Sequence, residues 1–395
     1  MYLFYKSQKK IIKFFKNIKK VKFILTAPHK KKILIYDNSN SDIITKYIKK
    51  FGYSVFYTRW EEINLKILIK SIIFFITDLI LFKAKPLQRY YIYEFIKASQ
   101  PKVVISFIDN RFSYLKLKSQ FSNIKFILFQ NGNSINDFRN EFKTIKNRKN
   151  NFIDYFFTFS NFFSNEYAKF VKGEKIELGS IKNNSVKIKK RKNIDFLYIS
   201  QFRFFSINKN EFYYKTNARK LESWNEFYAS DRKVVNLLAS YCLKKKIKLS
   251  IAGFYNIKNN FEEIKFYKNI FKNYKGLKWK IYSRDGQFHS YKLIDRSNLV
   301  VFIDSALGYE ALARNTKCVA LSIRQGRDFG WPKKLGKEGP FWDNYLDKKR
   351  CLKKIEKIAN ISNIQWKKLK NRHIKDFIHF NDNNSIFKKK LKEIL

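Results

Sequence analysis

Short, fully apolar runs alternate along the chain with longer amphipathic segments, which is the pattern of strands and helices in an α/β protein. In the first half the runs that predict strands are Ile33–Tyr36, Tyr53–Tyr57, Val103–Ile108, Phe126–Phe129 and Phe156–Phe159. In the second half they are Phe196–Ser200, Leu249–Gly253, Trp279–Tyr282, Leu299–Ile303 and Val319–Ile323. Because these runs lack polar alternation, each half predicts a parallel sheet that helices cover on both faces.

The two halves predict two doubly wound, Rossmann-like domains that face a central cleft. The polar, basic segment Ile181–Asn193 has no periodicity and is interpreted as the linker. The predicted domains cover residues 26–185 and 186–375, and residues 376–395 form a helix that is a candidate to cross back to the first domain. Ligands of such folds bind at the carboxyl ends of the strands, here in the cleft.

Two further helical segments are predicted, one before the first strand and one after the second. Residues 1–25 read as a basic amphipathic helix, which either docks on an anionic inner-membrane surface or packs on its own domain with a solvated lysine face. A longer helical stretch, Ile63–Ser99, is expected to break near Pro86. Within it, Ile67–Phe82 is strongly apolar but shorter than the roughly 20 residues of a membrane span, and it predicts a buried helix.

The composition adds a strong positive charge. The chain has 395 residues and a net charge of +51, carried mostly by lysines from end to end. The charge either serves binding to anionic partners or results from the mutational bias of an AT-rich genome. No nucleic-acid recognition module is visible, so nucleic acid is not favoured as a partner. Three dispersed cysteines suit a reducing, cytoplasmic compartment, and no secretory signal is predicted.

The most informative segment is Leu299–Arg327, in which a strand is followed by Ser305 as a helix N-cap. Ala306 and Gly308 are small enough for a ligand to approach the first-turn amides, where helix N-termini bind phosphates. Glu310, one turn further, could accept hydrogen bonds from a ribose. An ordinary βαβ unit with a normal cap is the alternative. Asn315 is expected to end this helix in a left-handed conformation.

This segment resembles the donor-binding βα unit of GT-B glycosyltransferases and of the related non-hydrolysing sugar epimerases. The resemblance implies a GT-B-like fold in which Ser305 and Gly308 hold the nucleotide phosphates and Glu310 binds the ribose. More narrowly, the chain resembles the bacterial surface carbohydrate biosynthesis proteins. The matching pieces are Ile33–Asp37, Val103–Asn110, Phe129–Gly132, Ile303–Arg314 and Phe329–Trp342.

Sugar transfer with inversion needs a base for the acceptor hydroxyl and a positive or amide-rich clamp for the departing phosphate. No Asp-x-Asp pair occurs and the four histidines lack ligand-like spacing, so no metal site and no cofactor are predicted. Helix amides and arginines would replace the cation. The donor-binding candidates at strand ends, besides the helix start, are Arg324, Arg327, Ser200 and Arg203, and the arginines could equally be surface residues.

For the base, Asp109 is the first candidate because it ends a buried strand of the acceptor-side domain, and Asp37 is the second. Either aspartate could instead only cap the next helix. Acceptor-binding candidates follow two of these strands: Asn110, Gln130, Asn131 and Gly132.

These features predict a metal-independent, inverting glycosyltransferase that works in the cytoplasm or at the inner face of its membrane. Its donor would be a nucleotide-sugar and its acceptor a surface polysaccharide or lipid-linked glycan. Two alternatives remain open: a sugar epimerase or polyol-phosphate transferase on the same fold, and a non-catalytic basic protein bound to membrane or nucleic acid.

Overall fold

The computed structural model describes most of the chain, and the two predicted sheets are both present. The described residues are 21–81, 83, 85–109, 112–132, 151–189, 191–202, 214–215, 221–222, 224–321, 335–345 and 347–395. Most of the basic segment 1–25 lies outside them, as do Asn110, Arg203, Arg324 and Arg327.

The first domain is built on a six-stranded parallel sheet with the strand order β3-β2-β5-β6-β7-β8. A separate parallel pair, β1 with β4, lies beside it in the chain. The eight strands are β1 Lys22–Ile24, β2 Ile33–Tyr36, β3 Tyr53–Phe56, β4 Glu62–Asn64, β5 Val103–Ser106, β6 Lys125–Phe129, β7 Phe152–Thr158 and β8 Lys172–Glu177.

The second domain is built on a seven-stranded sheet with the order β13-β12-β9-β14-β15-β17-β16, in which only β16 runs antiparallel to its neighbour. Strands β10 and β11 form a separate antiparallel pair. The nine strands are β9 Ile194–Ile199, β10 Tyr214–Lys215, β11 Leu221–Glu222, β12 Leu249–Asn256, β13 Trp279–Arg284, β14 Ser297–Phe302, β15 Cys318–Ala320, β16 Glu338–Gly339 and β17 Trp342–Asp343.

Helices cover both sheets, and the described α-helices are numbered in chain order. They are α1 Ser41–Ile48, α2 Leu65–Ile80, α3 Leu87–Ser99, α4 Phe112–Lys118, α5 Asn161–Ala168, α6 Ile181–Asn184, α7 Trp224–Lys244, α8 Phe261–Phe271, α9 His289–Arg296, α10 Ala306–Ala313, α11 Lys348–Asn360, α12 Asn363–Ile374 and α13 Ser385–Ile394.

The predicted α/β fold with two parallel sheets is confirmed. Every residue of β2 and of β5 is buried, because these central strands are covered on both faces and tolerate only apolar or hydrogen-bonded side chains. The boundaries differ in places. Ile63 belongs to β4 rather than to a helix, and Lys22–Ile24 at the end of the segment predicted as a helix pairs with β4 as a strand.

The prediction that Ile67–Phe82 forms a buried helix is wrong. Only Ile67 and Ser71 of α2 are buried, and most of its isoleucines face solvent. One face of α2 packs on α3, which is enough to fix the helix, and the described residues place nothing over the opposite face. An apolar helix cannot be assigned to the core by its composition alone.

The segment predicted as an aperiodic linker begins with a short helix, α6. Ser180 caps it by accepting a hydrogen bond from the Asn183 amide, and Asn183 and Asn184 are fully buried. The Asn184 amide group donates to the Leu178 carbonyl at 2.7 Å and to the Asn384 side chain at 3.0 Å. This first part of the linker is therefore a packed joint between the two domains and the C-terminal tail.

The C-terminal helix α13 lies against the first sheet. The Phe387 ring is fully buried and makes edge contacts with Phe129 and Phe157, at ring-centroid distances of 5.1 and 5.4 Å. Before it, the His379 amide donates to the Phe159 carbonyl at 2.9 Å. The tail therefore completes the covering of the first sheet.

Replacing Phe387 with Ala should lower the free energy of unfolding by about 3–5 kcal/mol, because a buried aromatic side chain leaves a cavity between α13 and the sheet. Chemical denaturation measures the loss. Lys389→Ala is the matched control on the exposed side of the same helix and should change stability by less than about 0.5 kcal/mol. Equal stability of the two variants would show that α13 does not hold the first sheet.

Candidate functional site

In both sheets the strand order reverses beside the strand of that sheet that comes first in the chain, and the candidate residues lie at those points. In the first sheet β2 lies between β3 and β5, so Asp37 and Asp109 follow the two strands at the switch. In the second sheet β9 lies between β12 and β14, so Gln201 and Ser305 follow the corresponding pair. Ligands of open parallel sheets bind outside the carboxyl ends of strands at such switch points.

Ser305 caps α10 as predicted: its hydroxyl oxygen accepts a hydrogen bond from the Leu307 amide at 3.3 Å. Ser305 and Ala306 are half-buried, so a ligand can reach this helix start. With the Gln201 amide oriented to satisfy its neighbours, Gln201 bonds to Asp304 at 3.3 Å and to Ser305 at 3.2 Å. The two strand ends at the switch are thereby tied together.

Gly308 has a packing role that the sequence did not reveal. A Cβ atom built at Gly308 would lie 2.2 Å from the Phe302 ring, so any side chain here would push α10 off β14. Gly308 is buried, and the position of its missing side chain faces the sheet. The expectation that it opens the helix start to a ligand is therefore corrected: Gly308 lets the helix approach its own strand closely.

Glu310 is buried at the joint between the domains. Its carboxylate accepts hydrogen bonds from the Ser180 hydroxyl, at the N-cap of α6, and from the Tyr291 hydroxyl. Its backbone carbonyl accepts from the Asn183 side chain at 3.3 Å. Burial raises the pKa of Glu310, although these hydrogen bonds and the charge of Lys182 oppose the shift. A ribose at Glu310 would therefore share or replace these partners.

Asp37 is a well-stabilised carboxylate. Burial alone would raise its pKa, but hydrogen bonds from the Ser39 amide at 2.7 Å and from the Thr58 hydroxyl, with the nearby Arg59 charge, outweigh it and lower the pKa. The Arg59 guanidinium lies 3.7 Å from the carboxylate. A carboxylate held in this way is a weak base. Its geometry therefore suits a structural role in the turn after β2.

Asp109 is buried at the end of the first domain's central strand, and its Oδ2 accepts a hydrogen bond from the Asn131 amide at 2.9 Å. The Asn131 side chain is exposed and reaches toward Asn40 and Lys182. Gly132 has open space around its Cα. The turn after β6 therefore exposes Asn131 and Gly132 at the cleft, and the buried Asp109 carboxylate is hydrogen-bonded to the backbone of this turn.

Gln130, by contrast, is committed to the fold. Its side-chain oxygen accepts from the Phe159 amide at 2.7 Å, and its side-chain nitrogen donates to the Gly132 carbonyl at 2.9 Å. Ser200 is likewise buried in a network, donating to Glu263 at 2.5 Å and accepting from the Tyr267 hydroxyl at 2.8 Å. These two predicted binding residues shape the strand ends on which a ligand would rest.

Lys182, on α6, is a site residue that sequence reasoning missed. Its ammonium lies 3.4 Å from the Asn131 side-chain oxygen. Burial lowers its pKa, and the other charges that act on it are Glu310 and Arg284 from the second domain and Asp42 and Asp109 from the first. Asn131, which follows β6, thus contacts a helix whose N-cap Ser180 bonds to Glu310 of the second domain, and the two domains meet beside Lys182. It stands within the segment interpreted as a linker, where a single lysine among many gives no local signal.

Two properties of the described residues bear on the chemistry. They contain no group of three or more His, Cys, Asp or Glu side chains placed to hold a metal ion. None of their helices combines the length and the apolar character that crossing a bilayer requires.

Comparison with known proteins places these features in a family. A family model described as "putative O-antigen biosynthesis protein" matches residues 126–395, which include the last strands of the first sheet and the whole second domain. At the level of sequence, no curated protein matches the chain.

Several solved structures align with this chain over nearly its whole length. A "putative UDP-N-acetylglucosamine 2-epimerase" from Listeria monocytogenes has a TM-score of 0.54 at 10% identity, covering 92% of this chain and 96% of its own. The UDP-GlcNAc 2-epimerase of Methanocaldococcus jannaschii, in complex with UDP-GlcNAc and UDP, has a TM-score of 0.50 at 12% identity, covering 91% and 99%. A glycosyltransferase from Rickettsia africae gives 0.47 at 14% identity, covering 93% and 98%. The first two matches establish the fold alone.

The raised pKa of Glu310 predicts how stability depends on pH. The folded chain binds this proton more tightly than the unfolded chain does, in which the pKa of a glutamate is about 4.3. The stability that protonation of Glu310 contributes is therefore complete below about pH 4.3 and is lost as the pH rises through the pKa of the folded state. Glu310→Gln does not titrate. Its unfolding free energy, relative to that of the wild type, should therefore be higher at pH 8 than at pH 4.

Denaturation at the two pH values measures this difference, in which pH-independent effects of the substitution cancel. Glu356→Gln is a control of opposite sign, because a hydrogen bond from Lys245 lowers the pKa of the exposed Glu356. Its relative stability should fall slightly from pH 4 to pH 8. A Glu310→Gln difference that is flat or falls with pH would contradict the assignment of a buried, destabilised carboxylate.

Proposed function

We propose that this chain, which belongs to the family of O-antigen biosynthesis proteins, is a glycosyltransferase that moves a sugar from a nucleotide-sugar to a surface-polysaccharide or lipid-linked glycan. The observation that carries the proposal is that α6 joins the two switch points: Lys182 lies beside Asn131, whose amide bonds to Asp109, and Ser180 bonds to Glu310 of α10. One side presents a capped helix start and the other a buried aspartate. Such an arrangement suits a donor phosphate held opposite an acceptor hydroxyl.

The donor would bind to the second domain. The half-buried start of α10 at Ser305 and Ala306 offers amide groups and the positive end of the helix dipole to the phosphates. Lys182 and Arg284 would add positive charge from the joint and from the end of β13. These groups would stabilise the charge on the leaving nucleotide diphosphate without a metal ion. Arg324 and Arg327, outside the described residues, remain predicted contributors.

In the reaction, the acceptor hydroxyl oxygen would attack the anomeric carbon while the bond from that carbon to the phosphate oxygen breaks. The electron pair of the broken bond would stay on the nucleotide diphosphate, and Asp109 would take the hydroxyl proton. Asp109 is preferred to Asp37 because the two carboxylate oxygens of Asp37 are stabilised by Ser39 and Thr58. Asn131 and Gly132 would line the acceptor side.

A sugar epimerase is the second candidate, since two of the solved structures with the same fold carry that description. The two activities differ in their products. A transferase releases the free nucleotide only when an acceptor is present, whereas an epimerase converts the nucleotide-sugar without one. The proposed setting is the cytoplasm at the inner face of the membrane, where a lipid-linked acceptor would be reached.

Thermal-shift measurements with UDP, GDP, CDP and CMP test donor binding. One of these nucleotides should raise Tm, because a ligand that binds only the folded state stabilises it, and the shift should be the same with Mg²⁺ and with EDTA. Release of that nucleotide from its sugar conjugate should then depend on the acceptor and persist in EDTA. Turnover that is lost on chelation and restored by Mg²⁺ would refute the metal-free mechanism, and acceptor-independent conversion would favour the epimerase.

Asp109→Asn should lower turnover by roughly a hundredfold or more, because the amide keeps the shape but cannot take a proton. Affinity for the donor nucleotide should stay within about threefold of the wild type. Asp195→Asn is the matched control and should leave turnover unchanged, since Asp195 is an exposed carboxylate near the amino end of β9, away from the strand ends of the site. If Asp37→Asn loses turnover and Asp109→Asn does not, the two roles are exchanged.

A further inference from the structure

Helix α2 presents a continuous apolar face to solvent. Its members recur at helical spacing, on the side opposite the buried Ile67 and Ser71, and are between 37% and 71% exposed. They are Ile69, Ile72, Ile73, Ile76, Leu79 and Ile80, which we call the α2 face. Exposed apolar surface on this scale marks a place where another molecule or a membrane binds.

Positive charge surrounds the α2 face. Lys66 precedes it, and Lys83, Lys85 and Arg89 follow the end of the helix; all four are exposed. The only acidic residue of α2, Asp78, lies on the inner side and accepts a hydrogen bond from the Tyr90 hydroxyl at 2.5 Å. The face therefore combines apolar side chains with a cationic rim, which is the composition of helices that lie in a membrane interface.

We propose that the α2 face docks on the surface of a bilayer that contains anionic lipids, with the helix lying in the plane of the interface. A helix of 16 residues is about 24 Å long, too short to cross a hydrocarbon core of about 30 Å. Its isoleucines enter the boundary of the acyl chains, and the lysines and arginine contact the headgroups. This inference rests on the proposed function only in that docking brings the enzyme to a lipid-linked acceptor.

The neighbouring strand extends the same surface. Strand β1 pairs with β4, and β4 leads directly into α2. Phe23 of β1 is 49% exposed, and Leu25, which follows β1, is 69% exposed. The preceding residues 1–20 carry seven lysines and no acidic residue. The strand beside the start of α2 is therefore preceded in the sequence by a basic segment.

Charge decides between the possible occupants of this face. A second copy of the chain would bring another +51 charge to a cationic rim, and the lysine-rich residues 1–20 would meet the same repulsion. Anionic lipid headgroups are attracted to the rim while the acyl chains accept the isoleucines. An anionic bilayer therefore fits both parts of the surface.

Sedimentation of the full chain with vesicles tests the proposal. Vesicles of equal parts phosphatidylglycerol and phosphatidylcholine should bind the protein, and pure phosphatidylcholine should bind it at least tenfold more weakly. The double variant Ile73→Glu/Ile76→Glu should lose roughly tenfold or more of the binding to the anionic vesicles. The matched control Ile257→Glu/Ile364→Glu, at isoleucines of the second domain that are even more exposed, should bind as the wild type does.

Thermal unfolding without vesicles checks that both double variants remain folded. Undiminished vesicle binding by Ile73→Glu/Ile76→Glu overturns the proposal. Two other results would also overturn it. In the first, the wild type does not bind the vesicles and light scattering shows a dimer that the double variant cannot form. In the second, the protein binds the vesicles only after residues 1–20 are deleted. The increase in Tm caused by nucleotides and the turnover of a soluble acceptor are measured on the same protein. Their absence with intact vesicle binding would refute the glycosyltransferase and leave the docking surface standing.

Discussion

An arginine that is buried between two domains must have all of its N–H groups bonded, and the relation between the two sheets depends on how Arg314 meets that demand. Its side chain is fully buried and pairs with both oxygens of Asp295, at 2.7 and 2.5 Å. The remaining donors go to Asn183 and to the Val186 and Lys187 carbonyls of the linker. The linker is thus fixed to the second domain by bonds that are costly to break.

The consequence of this anchor is that α6 cannot move independently of the second domain. The opposite side of α6 is bonded to the first domain and to the tail through Asn184, so the joint is held from both sides. Lys182 and the Ser180 contact to Glu310 belong to the same short helix. The geometry of the candidate site therefore depends on the joint as well as on the two sheets.

Local signals in the sequence were enough for the strands and for α10. Apolar runs such as Val103–Ser106 fit only a covered strand, while Ser305 and Asn315 mark the two ends of a helix by their own chemistry, Asn315 with a φ of 62°. The partners of Glu310 and Lys182 could not be predicted, because Ser180 lies 130 residues from Glu310 in the chain. The open side of α2 was also hidden, since a buried helix and an interfacial helix share one composition.

The distribution of charge connects the joint, the site and the docking surface. Basic residues outnumber acidic ones by 83 to 32, yet among the described residues nine acidic side chains are buried and only two basic ones, Lys118 and Arg314. Many carboxylates are thus buried, where they accept hydrogen bonds in turns, pair with Arg314 or lie at strand ends. The outer surface is left even more positive than the composition implies. Such a surface attracts phosphate-bearing donors and anionic membranes over distances set by the ionic strength, whereas the chemistry of the cleft depends on the few carboxylates kept from solvent.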